Sequence, residues 1–150
     1  VLSAPRDVAK LLADAVSMRG EMAKHKPAAG PLDVKLIEGG LVDLEFCVHV
    51  AQLRHGEGLD TRLDHAIAML VGAGRLSAGL AEAQVLLTRM LVTLRLVAPG
   101  GDEPSETARR LVARACGMED WASLMAAYER AREDVGQCWQ HVVAEAEEMR

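Results

Sequence analysis

Apolar residues recur along this chain at steps of three and four, the spacing of one face of an α-helix. Val8, Leu11, Leu12, Ala15 and Met18 predict a first helix from about Pro5 to Lys24, with Pro5 suited to the opening turn. The run from Pro27 to Pro31 ends it. Asp33 to Ile37 reads as a short extended piece closed by Gly39 and Gly40, and Leu41 to Arg54 as a second helix stopped at His55 and Gly56. Thr61 and Asp64 have the spacing of a capping box for a third helix, which runs through Leu63, Ile67, Leu70 and Val71 to Gly74. Ser77 can cap a fourth. There Leu80, Leu87, Leu91 and Leu94 share one side while Val85, Leu86, Val92 and Leu96 cover much of the rest, which predicts a central helix buried all round. Ala98 to Pro104 is a flexible surface loop, not a domain boundary, because neither flank could form a good core alone. Ser105 caps a fifth helix through Ala108, Leu111, Val112 and Ala115 to Gly117. A last helix from Asp120 to about Glu148 carries Trp121, Leu124, Tyr128, Ala131, Val135, Trp139 and Val142 on one stripe, as core or as a partner surface. At ~1.5 Å per residue it spans about 40 Å.

Composition narrows the class. Half of the 150 residues are hydrophobic, but Phe46, Trp121, Tyr128 and Trp139 are the only aromatics. The apolar mass is therefore mostly Ala, Leu, Val and Met, which suits helix packing and excludes an all-β sandwich or barrel. The expectation is an all-α bundle of about six helices, with a short extended segment before the second, in a single domain over residues 1–150. A net charge of -5 with 26% charged residues fits neither a disordered acidic tail nor a basic nucleic-acid binder. Cys47, Cys116 and Cys138 are odd in number and form no C-x-x-C pair, which argues against a disulfide framework or a zinc ribbon and for reduced thiols. The most apolar stretch, Leu76 to Ala98, is interrupted by Glu82, Arg89 and Arg95, so no membrane span is expected. With no signal segment either, the cytoplasm is the simplest location.

Candidate chemistry concentrates between Asp33 and Phe46. Gly39 and Gly40 precede a helix, where free backbone N–H groups at the positive end of the dipole could seat a phosphate, with Lys35 adding charge. The alternative is that Gly40 is simply the N-cap, Asp43 complements the dipole and Lys35 is a solvated charge at a strand edge. Asp43 and Glu45 point roughly 200° apart on a helix and cannot pair with each other. Glu45 and His49, four apart, could form a carboxylate–imidazole pair or a plain surface contact. His55 fits a cation at a helix C-terminus, worth ~0.3–1 kcal/mol. His49, His55 and His65 lack metal-ligand spacing. Met18, Met22, Met69, Met90 and Met125 read as core filling. No serine sits in a G-x-S-x-G elbow, and Arg109, Arg110 and Arg114 make only a small, diluted basic face.

The run DVKLIEGGLVDLEFCVHVAQLRHG, residues 33–56, resembles the D-[LIV]-K, G-G-[LI]-x-D-[IL]-E-F and Q-L signature of the glutamine synthetase adenylyltransferases. Met18 to Met22, His65 to Leu96 and Trp121 to Trp139 are similar to the flanking helices of that family, so most of the chain is covered. The wording around Asp43 is more similar to the family's second, adenylylating half, and the chain ends as that half does. The resemblance implies the C-terminal helical domain of a larger nucleotidyltransferase. That enzyme would transfer AMP from Mg-ATP to a tyrosine of glutamine synthetase in nitrogen control.

Several expectations follow from that resemblance. No G-S motif followed by D-x-D occurs, so the catalytic sheet domain and its magnesium ligands would lie outside these residues, and this chain alone would be inactive. No catalytic or metal residue is expected here. Lys35, Gly39, Gly40, Asp43 and Glu45 would lie at the junction with the nucleotidyltransferase domain or at its nucleotide cleft. The implied partners are that missing domain, glutamine synthetase and the PII signal protein. His49 stands where the family usually has Gln, and Cys47 replaces a more usual aliphatic residue. Two alternatives remain: the helical domain of a PII-protein uridylyltransferase, whose motif is similar, and a free-standing, non-catalytic helical regulator.

Overall fold

A computed structural model describes residues 7–99 and 103–150. Pro5 and residues 100–102 of the expected loop lie outside them. Six helices make up the described architecture: α1 (Val8–His25), α2 (Leu41–His55), α3 (Leu63–Gly72), α4 (Ala78–Val97), α5 (Glu106–Ala115) and α6 (Trp121–Glu148). There is no strand among the described residues. The all-α expectation holds, with helix ends close to those read from the sequence.

Local side-chain chemistry sets most of these ends. The Asp7 carboxylate accepts the Lys10 N–H at 3.2 Å to start α1, and Lys24 and His25 complement the dipole in its last turn. Ser105 accepts the Ala108 N–H at 3.2 Å and Asp120 the Ser123 N–H at 2.7 Å, as their positions predict. Gly56, in the left-handed region at φ 63°, closes α2 on the Gln52 carbonyl. The Thr61–Asp64 capping box does not form. Arg62 is the N-cap of α3; Asp60 accepts its N–H at 2.8 Å, and Asp64 is held by the Arg62 guanidinium. Ser77 caps α4 by backbone position alone, without a side-chain hydrogen bond.

The segment before α2 is not extended. Asp33 uses both carboxylate oxygens locally, accepting the Leu36 N–H at 3.1 Å and the Ala29 N–H at 3.0 Å, while the Ile37 N–H returns to the Asp33 carbonyl at 2.9 Å. With its groups satisfied inside a coil of turns and no neighbouring strand, the segment has nothing to gain from extension.

The spine is α6, not α4. α1, α2, α4 and α5 all pack on α6, and α3 fills the angle between α2 and α4. Buried Ala127, Ala131 and Ala146 allow close approach along α6, and Tyr128, Val135, Trp139 and Val142 fill the gaps, so its aromatic stripe is core. One large cluster joins α2 to α6. A second, of Leu12, Ala15, Cys47, Val50, Trp139, Val142 and Ala146, ties α1 to α2 and the far half of α6. By contrast α4 buries a single stripe of Leu80, Ala83, Leu87, Met90 and Leu94. Val85, Val92 and Leu96 face outward, Leu96 with 78% of its surface exposed. Met18, Met69 and Leu111 are also exposed and do not fill the core. Among the described residues no helix is long and apolar enough to cross a membrane.

Candidate functional site: the turn leading into α2

Asp43 sits in the first turn of α2 and is 2% exposed. Its Oδ1 accepts Arg19 Nε of α1 at 2.5 Å, and its Oδ2 accepts the Gly39 N–H at 2.7 Å. The Arg19 guanidinium also reaches the Leu36 carbonyl at 3.5 Å. A buried ion pair thus pins the turn to α1. A second clamp comes from α6. Arg132 Nε donates to the Glu38 carbonyl at 3.0 Å, its guanidinium lies 5.5 Å from the Tyr128 ring centroid, and the Tyr128 hydroxyl donates to the Pro31 carbonyl at 2.8 Å. Burial pushes the Tyr128 phenol up to about 12.

Both glycines are required where chain meets chain. Gly39 has φ +75°, and a Cβ there would stand 2.4 Å from the Arg132 carbonyl oxygen. A Cβ on Gly40 would meet the Val34 and Ile37 carbonyl oxygens at 2.5 and 2.8 Å. The N–H groups that could have seated a phosphate are engaged inside the chain: Gly40 donates to the Ile37 carbonyl, Leu41 to Val34 and Val42 to Lys35, at 2.8–3.0 Å. These glycines therefore serve close approach in this geometry, and the turn offers an anion little free backbone.

Lys35 is the exposed cation of the segment. It lines a cleft of about 670 Å³ between the turn, the end of α4 and the start of α6, whose walls include Leu91, Arg95, Glu103, Trp121 and Met125. Arg109 does not contribute to a basic face. It turns back to Glu103, donates to the Pro104 carbonyl at 3.1 Å and stacks over Trp121 with 5.5 Å to the ring centroid. Glu45 is half-buried and His49 exposed, and no hydrogen bond joins them among the described residues. Gln52 of the Q-L pair is buried and holds the Gly58 carbonyl at 2.7 Å and the Asp60 carbonyl at 3.3 Å.

His55 stands in the last turn of α2, as its position predicts. Burial, then the Arg75 and Arg54 guanidiniums, hold its imidazole below the ordinary value. Arg54 supplies the charge of that turn and pairs with Glu145 at 2.6 Å. Among the described residues no group of three His, Cys, Asp or Glu side chains could hold a metal ion. Arg19, Arg132 and Tyr128 lie outside the signature of residues 33–56, yet they build the site. The sequence signal for Arg19 was a charge continuing the buried Leu12–Ala15 stripe at helical spacing.

A profile described as GlnD PII-uridylyltransferase matches residues 7–143. The chain belongs to this family. Among curated proteins it is similar to bifunctional glutamine synthetase adenylyltransferase/adenylyl-removing enzymes. It is 35% identical to that of Rhizobium meliloti over 97% of this chain and 16% of that protein. The counterpart from Caulobacter vibrioides is 34% identical over 95% of this chain and 15% of its own length, and that of Mesorhizobium japonicum 42% identical over 55% and 8%. The chain thus spans about one sixth of the length of the Rhizobium meliloti and Caulobacter vibrioides proteins. No solved structure matches it. The family profile carries the name of the uridylyltransferase alternative, while the relatives carry the name of the adenylyltransferases, whose signature residues 33–56 resemble.

Proposed function

We propose that this chain is the helical domain of a nucleotidyltransferase that moves AMP from ATP onto a tyrosine of glutamine synthetase. The observation that carries this reading is the 35% identity to an adenylyltransferase over nearly the whole chain. The Asp33–Glu45 segment is then the junction with the catalytic domain. Asp43, Gly39 and Gly40 hold its shape, Glu45 borders it on α2, and Lys35 projects beside the cleft, where an ammonium can meet nucleotide phosphate. Arg95 adds a second cation and the Trp121 ring an apolar wall. Among the described residues no group of three His, Cys, Asp or Glu side chains could hold a metal ion, and on this reading the magnesium ligands belong to the catalytic domain. Docking of glutamine synthetase and of the PII protein falls to the same parent enzyme, in the cytoplasm.

Lys35→Ala in the full-length enzyme tests the reading. Loss of one charge-assisted contact to phosphate is worth about 1.5–3 kcal/mol, so AMP transfer should fall roughly 10- to 100-fold with the melting temperature unchanged. Unaltered kinetics would return Lys35 to a solvated surface charge. The isolated 150-residue chain should transfer no AMP, and purification-resistant activity would overturn the domain assignment. The profile's description favours one second reading, a uridylyltransferase of the PII protein. Transfer of UMP to PII, in place of AMP to glutamine synthetase, by the full-length enzyme would decide for it.

A further inference from the structure

The geometry points to Cys138 and Cys47 as an oxidation site, in which the Cys138 thiol reacts with a hydroperoxide and Cys47 resolves the product into a disulfide that ties α6 to α2. The helices α2 and α6 run in parallel, and their contacts fix the register. Glu38 meets Arg132 across 94 residues and Arg54 meets Glu145 across 91. Between these two contacts the rings of Phe46 and Trp139 pack edge to face with centroids 5.6 Å apart. Cys47 and Cys138 are the chain neighbours of those two rings and share the 91-residue offset of the Arg54–Glu145 pair, which sets them opposite each other across the seam. Both thiols belong to the apolar cluster of α1, α2 and α6.

Their environments differ in the way the chemistry needs. Cys47 is fully buried, whereas Cys138 is half-buried, so a small oxidant reaches Cys138. The neighbouring thiol, with burial, pushes Cys47 well above the usual thiol range, while the same neighbour draws Cys138 below it, so Cys138 is the more readily ionised of the two. Cys116 packs in the other cluster, at the end of α5.

The Cys138 thiolate attacks one oxygen of hydrogen peroxide, the O–O bond breaks and hydroxide leaves. Sulfur has then been oxidised to sulfenic acid and the peroxide reduced. The Cys47 sulfur next attacks the Cys138 sulfur, the S–S bond forms, the S–O bond breaks, and the hydroxyl group departs with the Cys47 proton as water. Overall two thiols and one peroxide give one disulfide and two waters. In a reducing compartment such a bond is transient, which suits a redox-sensing role better than a structural one.

The test treats the folded, reduced 150-residue chain with hydrogen peroxide and reads intact mass, peptide linkage and free thiols in denaturant. The expected result is a monomer lighter by two hydrogens, a peptide joining Cys47 to Cys138, and one free thiol in place of three, all reversed by dithiothreitol. Cys116→Ala should behave the same way. Cys47→Val, which keeps an apolar side chain in the cluster, should instead gain oxygen at Cys138 and form no internal bond. A chain dimer through Cys138, a sulfinic acid at Cys138 beside an intact Cys47 thiol, or an unchanged chain would each overturn the assignment.

Discussion

Asp43→Asn probes the buried clamp with almost no change in shape. The wild-type carboxylate receives two donors, Arg19 Nε and the Gly39 N–H. Asparagine keeps one acceptor oxygen, and its amide NH2 must then face the other donor, whichever way the group is turned. Either the Arg19 charge keeps only the Leu36 carbonyl at 3.5 Å, or it takes the one neutral oxygen and the Gly39 N–H is left facing the amide NH2. Stranding one partner of a buried ion pair costs about 3–5 kcal/mol, and the partial exposure of the Arg19 side chain, 11%, places this site near about 3. With a urea dependence of about 2 kcal/mol/M, the unfolding midpoint followed by circular dichroism should fall by about 1.5 M. The thermal midpoint should fall by roughly 6–12 °C. Combining Asp43→Asn with Arg19→Met removes the stranded charge and frees the asparagine oxygen for Gly39. The double variant should therefore be more stable than Asp43→Asn alone by at least about 1 kcal/mol. A loss under about 0.5 kcal/mol in the single variant, or strict additivity of the two changes, would refute the clamp.

Gly39→Ala should destabilise by more than about 2 kcal/mol, because it combines a left-handed backbone with a Cβ 2.4 Å from the Arg132 carbonyl oxygen. Gly20→Ala is its counterpart: exposed within α1 and with nothing near its would-be Cβ, it should raise stability by about 0.5–1 kcal/mol, and equal melting temperatures for the two variants would contradict both accounts. Tyr128 carries a pH signature. Its folded pKa of about 12 lies above the unfolded value near 10, so its contribution is complete below pH ~10. It is lost as pH rises towards 12, up to about 3 kcal/mol in all. Tyr128→Phe should cost about 1 kcal/mol at pH 7 for the lost bond to Pro31, and it should flatten the alkaline limb between pH ~10 and 12 when measured against a parent with the same cysteines.

Helical periodicity carried far in this chain, helped by local chemistry at three helix starts: Ser105 and Asp120 cap where the sequence placed those starts, and Asp7 caps α1 two residues past the start read for it. It failed where two local solutions compete. Asp33 to Ile37 has a strand-like apolar alternation, but Asp33 folds the backbone onto its own carboxylate. At α3 the Asp60 carboxylate accepts the Arg62 N–H and the Arg62 guanidinium takes the Asp64 carboxylate, so the helix starts one residue later than the Thr61 box requires. Periodicity also says which faces are apolar without saying which helix is central. α4 carries apolar residues on most of its faces, yet α6 takes the middle, because its small buried alanines alternate with large residues and let four helices approach.

The site illustrates the same limit on a smaller scale. Two glycines before a helix are compatible with an anion seat or with tight packing, and the deciding facts are long-range ones. Gly39 lies against α6 at Arg132, and Asp43 receives Arg19 from α1. Neither partner is within reach of a local pattern. Once three helices converge on the turn, its polar backbone is used internally, and Lys35 is left on the rim of the cleft as the cation available to something outside it. This division of labour makes the variants separable. Changes at Asp43, Gly39 or Arg19 should move stability first and activity only through it, whereas a change at Lys35 should move activity with stability intact. If Lys35→Ala and Asp43→Asn shifted both quantities together, the turn would be a single unit, and the separation of scaffold from contact drawn here would fail.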